Sequence, residues 1–365
     1  MRRVKNGILW LCWTMGFFHL ARHFAKHKLR ILCYHGFANN GDCRFRPKLL
    51  MNGDAFRERL RLLAYYRFNV LSLDNALNGL RNGAPAPDSV VITFDDGHYS
   101  TFSVAAPALE SHNFPATVYV STYYVEQQIP VFNLMVEYLL WKTRRPILEL
   151  RGLSWARDQR VNLLDLDERG HLAREVIESI QRCDSSEGRE SACRELATLL
   201  DLNYDEIRKN RTLTLMSLDE LRDVASRGMD IQLHTHRHRL PEDDEEASKQ
   251  EILENRRVLG AVANAPLRHF CYPSGLWSKR HWERLAELGI ESATTCEPGL
   301  NDQDTPLLAL RRIVDGEDVS KIEFLSEIFG FACLLRGLRD CIRPKAIAGS
   351  RCTSCCVPPG SSSTR

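Results

Sequence analysis

The chain has 365 residues, 44% of them hydrophobic and 26% charged, proportions that provide a sizeable buried core and exclude wholesale disorder, collagen and coiled coil. Lys and Arg number 49 against 47 for Asp and Glu, a formal charge of +2, so no global field draws the chain to nucleic acid and any electrostatic specificity is local. The 12 cysteines are scattered through the body (Cys33, Cys43, Cys183, Cys193, Cys271, Cys296) rather than set in a small stapled domain, and they read as reduced thiols.

Residues 1–29 carry Arg2, Arg3 and Lys5, then an apolar run from Ile8 to Leu20 interrupted by Thr14, Gly16 and His19, then Arg22, Lys26 and Lys28. A membrane span needs about 20 apolar residues, and no small-residue cleavage pattern follows, so an uncleaved basic, apolar helix is expected. Two roles are open to it: lying on an anionic membrane surface or packing on the domain that follows. A cytoplasmic or membrane-associated location is accordingly favoured over a secreted one.

From residue 30 short apolar runs alternate with longer amphipathic stretches, the rhythm of strand and helix units around a mainly parallel sheet. Strands are predicted at Ile31–Tyr34, Val70–Leu73, Val90–Phe94, Ala116–Val120, Asp230–Leu233, His269–Tyr272, Ser292–Thr295 and Leu308–Ile313. Helical spacing marks Ala55–Tyr66, Thr101–His112, Ser217–Arg227, Glu245–Leu259 and Lys279–Leu288. The tally is that of a barrel over residues 30–320. Residues 131–212 break the rhythm: charged, helical in composition and without a convincing strand, they read as an insertion. A C-terminal helix is expected over 321–345, and the Ser-, Gly- and Pro-rich stretch 346–365 as a disordered tail.

Chemistry concentrates at three strand ends. The run Val90 to Phe94 stops at Asp95-Asp96-Gly97; side-chain alternation aims adjacent carboxylates at different targets, one suited to a cation and the other to a proton. Asp230 to Leu233 leads into His234-Thr235-His236-Arg237-His238. Neutral imidazoles are favoured ligands of zinc and related ions, and two of them with a carboxylate leave a coordination position open. His234 and His238 are the ligand pair, with His236 outside it and Arg237 and Arg239 solvated. The third run, His269-Phe270-Cys271-Tyr272-Pro273-Ser274-Gly275, ends in a turn where Pro sets φ and Gly permits positive φ.

In this order, TFDDG, HTxxH and FxYPxG resemble the motifs of the polysaccharide deacetylases, the NodB-like carbohydrate esterases, over about Ile31 to Ile313. The resemblance implies an α/β fold, a distorted (β/α) barrel of that type carrying a helical insertion. It implies metal-assisted removal of acetyl groups from N-acetylated sugars of a polysaccharide or oligosaccharide, with zinc the default ion. Asp96, His234 and His238 would hold the ion and Asp95 would be the general base. Tyr272, with its backbone N–H, Pro273 and Arg268 would face the substrate. Two departures bear on roles. Cys271 stands where many relatives place the arginine that orients the base, and Arg268, Arg311 and Arg312 are its candidate replacements. No histidine follows His281 to supply the late acid, and His35 takes that role here. Two other readings stay open: a metal-dependent esterase or amidase on another substrate, and a non-catalytic glycan-binding protein retaining the metal site.

Overall fold

A computed structural model describes residues 2–38, 41–83, 85–181 and 185–342, so the expected tail lies outside the described residues. The chain divides into two compact units, one of residues 2–122 and 218–342, the other Tyr123–Ser217.

The first unit is a closed barrel. Its strands are β1 (Arg30–Tyr34), β2 (Ser89–Phe94), β3 (Ala116–Val120), β4 (Met229–Leu233), β5 (His269–Cys271), β6 (Ser292–Pro298) and β7 (Leu310–Val314). Each pairs in parallel with its sequence neighbour, and β7 closes on β1 through Leu32 opposite Ile313. These runs are buried almost throughout, as expected of parallel strands covered by helices on one side and filled on the other. Ile31, Val91, Ile92 and Val118 are fully buried, each contributing about 1.5–3 kcal/mol.

Two local differences from the expected elements have clear causes. The strand expected at Val70–Leu73 is only Asn69–Val70, paired at the barrel's edge to β2. It is cut short because Ser72 accepts a hydrogen bond from the Asn75 N–H at 3.4 Å and starts the helix Leu73–Arg81. The helix expected over Thr101–His112 opens with a wide π-type turn, Thr101–Ala105, before Ala106–Glu110. Pro107, which has no N–H to donate, sits at that junction.

At the amino end of the barrel, residues 1–29 form two helices, Arg2–Thr14 and Phe17–Phe24, rather than one. Gly16, at φ 81°, breaks them apart. Their inner residues Leu9, Phe18 and Ala21 are buried, and Arg22 pairs with Asp88, just ahead of β2, at 3.0 Å. Arg30, at the start of β1, donates to the carbonyls of Ile328 and Ala25. The expected C-terminal helix is likewise two, Lys321–Ile328 and Phe331–Ile342, with 343–345 outside the described residues. A capping box of Ser320 and Glu323 starts the first.

The second unit corrects the strandless reading of 131–212. Beside its helices it holds an antiparallel pair, Ile147–Leu150 with Gln159–Asn162. Ile147 and Glu149 are exposed while Leu148 and Leu150 are buried, an alternation short enough to be masked by the surrounding charge. An antiparallel bridge from Pro130 to Thr214 joins the unit's two chain ends.

Candidate active site

Because the parallel strands run in register, the residues that directly follow them meet at the carboxyl end of the barrel. His35 follows β1, Asp95 β2, Ser121 β3, His234 β4 and Tyr272 β5. Between β6 and β7 the register shifts, Thr294 facing Leu310 and Pro298 facing Arg312. Arg312 is thereby carried into the barrel, fully buried.

Asp95 is locked by that arginine. Its two carboxylate oxygens each accept from Arg312, at 2.7 Å and 2.7 Å, the bidentate geometry of the strongest charged hydrogen bonds. Arg312 also donates from Nε to the Thr295 carbonyl at 2.7 Å. The Cys271 thiol lies 3.3 Å from the guanidinium and 3.4 Å from Asp95. The small Cys271 side chain thus leaves the room that Arg312 fills from the far strand. Burial by itself would raise the Asp95 pKa, but the paired guanidinium overrides it and holds the carboxyl well below the usual carboxylate range.

Asp96 faces the histidines. Its Oδ1 lies 3.3 Å from His234 Nε2 and 3.3 Å from His238 Nε2, and ligand atoms of the three residues lie within 4.8 Å of one another. His234 Nδ1 is 2.8 Å from the Cys271 carbonyl, which requires the proton on Nδ1 and leaves Nε2 as the atom facing Asp96. Burial opposes charging of this ring, but Cys271 and Asp96 raise its pKa well above the usual value, so without an ion Nε2 donates to Asp96, and binding an ion there would displace that proton. Removal from water lowers the His238 pKa to about 4, its largest cause, with His234 adding to the fall, so the His238 ring offers a lone pair. Two imidazole nitrogens and one carboxylate form a donor set suited to a zinc-type ion with an open position.

The loop that supplies these rings is strained and braced. Asp96, Thr235 and His238 have φ of 68°, 62° and 55°, a region costly for side chains with a Cβ and most so for a β-branched threonine. Gly97 follows at φ 85°, where a Cβ would stand 3.0 Å from Val120 Cγ1. The helix Glu245–Leu259 supplies the bracing. Asn255 accepts from the His234 N–H at 3.0 Å. Buried Glu251 accepts from the Arg237 N–H at 2.6 Å and from Arg239 Nε at 2.9 Å. Arg237 and Arg239 are exposed, as expected, and also help tie the loop to its support. His236 turns aside, its Nδ1 2.9 Å from the Thr122 hydroxyl.

His35 Nε2 lies 3.8 Å from Asp95 Oδ2. Burial lowers its pKa against the pull of Asp95 and Asp96, so the ring is neutral near pH 7. Two expectations on the third motif need correction. The Tyr272 N–H is spent on the Thr294 carbonyl at 3.1 Å, and its hydroxyl donates to the Leu308 carbonyl at 2.9 Å, so neither is free for a substrate. Arg268 precedes β5 and therefore sits at the barrel's opposite end, paired with Asp74 at 2.8 Å. Pro273 opens the turn Pro273–Gly275, and Gly275, at φ 65°, has no room for a Cβ, which would meet Cys296 Cβ at 2.7 Å.

Sequence reasoning passed over His98. Buried against Gly36, it places Nε2 3.4 Å from Asp96 Oδ2, on the side away from His234 and His238. Its signal was the spacing DDGH, since a left-handed turn at Asp96-Gly97 folds the chain back onto the carboxylate. The thiols of Cys33 and Cys271 around Asp95 were also missed as neighbours of the site; among the described residues, Cys12, Cys33, Cys43, Cys193, Cys271, Cys296 and Cys333 take part in no disulfide. A cavity of about 840 Å³ in the second unit is crossed by an Arg157–Glu175 ion pair. The candidate metal-holding clusters among the described residues all lie in the barrel instead.

The model of the polysaccharide deacetylase family matches residues 82–146 and 203–293, leaving unmatched 147–202, the middle of the inserted segment. Among solved structures, the fold resembles the deacetylase PplD of Streptococcus pyogenes in complex with acetate. That likeness has TM-score 0.55 and 19% identity, covering 83% of this chain and 99% of that one. A de-N-acetylase from Aggregatibacter actinomycetemcomitans gives TM-score 0.52 and 12% identity over 81% of this chain and 98% of its own. IcaB from Ammonifex degensii gives 0.51 and 15% over 83% and 97%. No curated protein matches by sequence. With these motifs falling at the carboxyl ends of a seven-stranded parallel barrel, the chain resembles the polysaccharide deacetylase family in both sequence pattern and fold.

Proposed function

We propose that the protein is a metal-dependent hydrolase that removes acetyl groups from N-acetylated sugars of a polysaccharide or oligosaccharide. One observation carries the reading: two adjacent carboxylates with divided duties, Asp95 clamped by Arg312 and Asp96 set between two imidazole nitrogens. Asp96, His234 and His238 would hold the ion, most consistent with zinc by ligand type. When bound, such an ion supplies Lewis acidity, polarising the acetyl carbonyl and making a water acidic enough to give its proton to a carboxylate.

The chain's own residues account for the remainder. Asp95, kept ionised by Arg312, accepts the proton; its Oδ1 keeps a lone pair beside the one bond from the guanidinium, whereas Oδ2 also meets the Cys33 and Cys271 thiols. His35, neutral and within 3.8 Å of Asp95, is in the state to receive that proton in turn and to pass it to the amine that leaves. His98 and the Cys271 carbonyl orient Asp96 and His234 from behind.

The test is acetate release from N-acetylglucosamine oligomers and polymers by the purified protein, stripped of metal and reconstituted with zinc, beside Asp95→Asn and His234→Ala. Metal-dependent release abolished by either substitution supports the assignment. Stoichiometric metal binding with no release from any acetylated glycan overturns it in favour of a glycan-binding protein, and release from O-acetyl esters alone overturns the N-acetyl specificity.

A further inference from the structure

The two N-terminal helices and the last described helix invert the usual rule for surface helices, which turn polar faces to water. On Arg2–Thr14 and just beyond, Val4, Ile8, Leu11 and Met15 are 57–67% exposed. They recur every three or four residues and so share one face. On Phe17–Phe24 the same holds for Phe17, Leu20 and Phe24, the last 64% exposed. On Phe331–Ile342, Leu334, Leu335 and Leu338 are exposed in the same manner. The three helices adjoin: Phe18 stacks on Phe331 at 4.7 Å, while Trp13 and Phe18 pack against Phe329. Segments from the two ends of the chain thus build one outward apolar face, larger than isolated exposed side chains explain.

Charge says what covers it. Residues 1–29 contain six Lys and Arg (Arg2, Arg3, Lys5, Arg22, Lys26, Lys28) and no Asp or Glu, in a chain otherwise near balance; Arg2 and Lys5 reach Glu323, Arg22 reaches Asp88 and Lys28 reaches Asp302, so the positive excess rests mainly on Arg3 and Lys26. Arg3, Lys26 and Arg339, on or next to the same helices, are exposed. A second copy docked by twofold symmetry would bring these like charges together, whereas a lipid surface with anionic headgroups complements them. No described helix is long and apolar enough to cross a membrane, which leaves helices lying in the plane of the interface.

We infer that this face, formed by the two N-terminal helices and the Phe331–Ile342 helix, docks onto an anionic lipid surface. The face lies at the amino end of the barrel, where Arg22 meets Asp88 and Arg30 meets Ile328. The carboxylate and histidine cluster lies at the carboxyl end, so docking holds the site away from the lipid, open to a glycan strand above the headgroups.

The experiment is co-sedimentation of the full chain with vesicles of phosphatidylcholine alone and of phosphatidylcholine with phosphatidylglycerol, at low and high salt. It compares the protein with a Leu11→Glu, Leu20→Glu variant whose melting temperature is checked for folding. The inference expects binding to the anionic vesicles that falls with salt, and a loss of roughly tenfold or more in the variant, with acetate release from a soluble oligomer unchanged. Binding no greater than to phosphatidylcholine alone, or undiminished in the variant, overturns it. Sedimentation velocity without lipid supplies the rival outcome: a dimer that the same substitutions dissociate, with no vesicle binding, assigns the face to a contact between copies. Loss of acetate release in the wild-type protein would refute the proposed function without touching this inference, because vesicle binding is read separately.

Discussion

Replacing Arg312 by methionine would test the reading of Asp95 most directly. Arg312 and Asp95 are both buried and share two hydrogen bonds of 2.7 Å, so the substitution strands a carboxylate in the barrel interior. Breaking one side of a buried pair costs about 3–5 kcal/mol, which for a unit of this size is a fall of roughly 10 °C in Tm. The pH dependence distinguishes this cause from simple loss of packing. In the wild type Asp95's pKa is depressed, so its contribution is complete above the unfolded value of about 4 and is lost only in stronger acid, leaving it flat from pH 5 to 8. In the variant, burial without the guanidinium raises that pKa. The folded state then binds a proton the unfolded state has released, and stability declines as pH rises from about 4 through the new value. Thermal and urea denaturation at pH 5 and pH 8 should therefore show a smaller deficit at the lower pH. The double variant Arg312→Met, Asp95→Asn should recover most of the loss, short of about 1–3 kcal/mol for the Thr295 carbonyl left without its donor. A deficit independent of pH, together with a double variant no better than the sum of the singles, would refute the buried-pair argument. Turnover should fall about 10²–10⁴-fold in Arg312→Met, since the base is no longer held ionised.

Asp95→Asn should retain stoichiometric zinc by competition titration while losing acetate release by at least about 10²-fold; loss of zinc as well would place Asp95 among the ligands. Glu251→Ala removes the buried acceptor of Arg237 N–H and Arg239 and should weaken zinc about 10–100-fold; an unchanged zinc affinity would show that the loop holds itself. Gly97→Ala puts a Cβ 3.0 Å from Val120 at φ 85° and should cost about 1–3 kcal/mol in urea denaturation, a penalty whose absence would mean the turn relaxes. His35→Asn should lower kcat with zinc affinity unchanged and alter the pH profile of kcat, and an unaltered profile would remove His35 from the proton path.

The strand ends that carry chemistry were legible because each couples two signals. A run of β-branched and aromatic residues marks a buried parallel strand, and its abrupt stop at Asp95-Asp96 or His234 places polar groups where such strands present them. The TFDDG, HTxxH and FxYPxG motifs therefore located the barrel, its carboxyl end and the Asp96, His234 and His238 grouping from local pattern alone. The hairpin at Ile147–Leu150 escaped because four residues of alternation are too few to stand out against charged helical surroundings. The limits of Tyr272 and Arg268 lay in direction: a strand segment tells which residues are near its end, not which N–H the neighbouring strand has already taken. The three candidate arginines were indistinguishable by spacing. Only closure of the barrel, with β7 paired to β1 and the register shift between β6 and β7 that sets Arg312 beside Cys271, selects one. His98 and the outward apolar face likewise depend on tertiary placement, the first on a left-handed turn, the second on two distant ends of the chain packing side by side. Local sequence determined which elements form and which ends are reactive, because propensity and periodicity act over a few residues. The partners of buried charges are set by contacts between residues more than two hundred positions apart, such as Asp95 and Arg312, and these exist only once the sheet has closed.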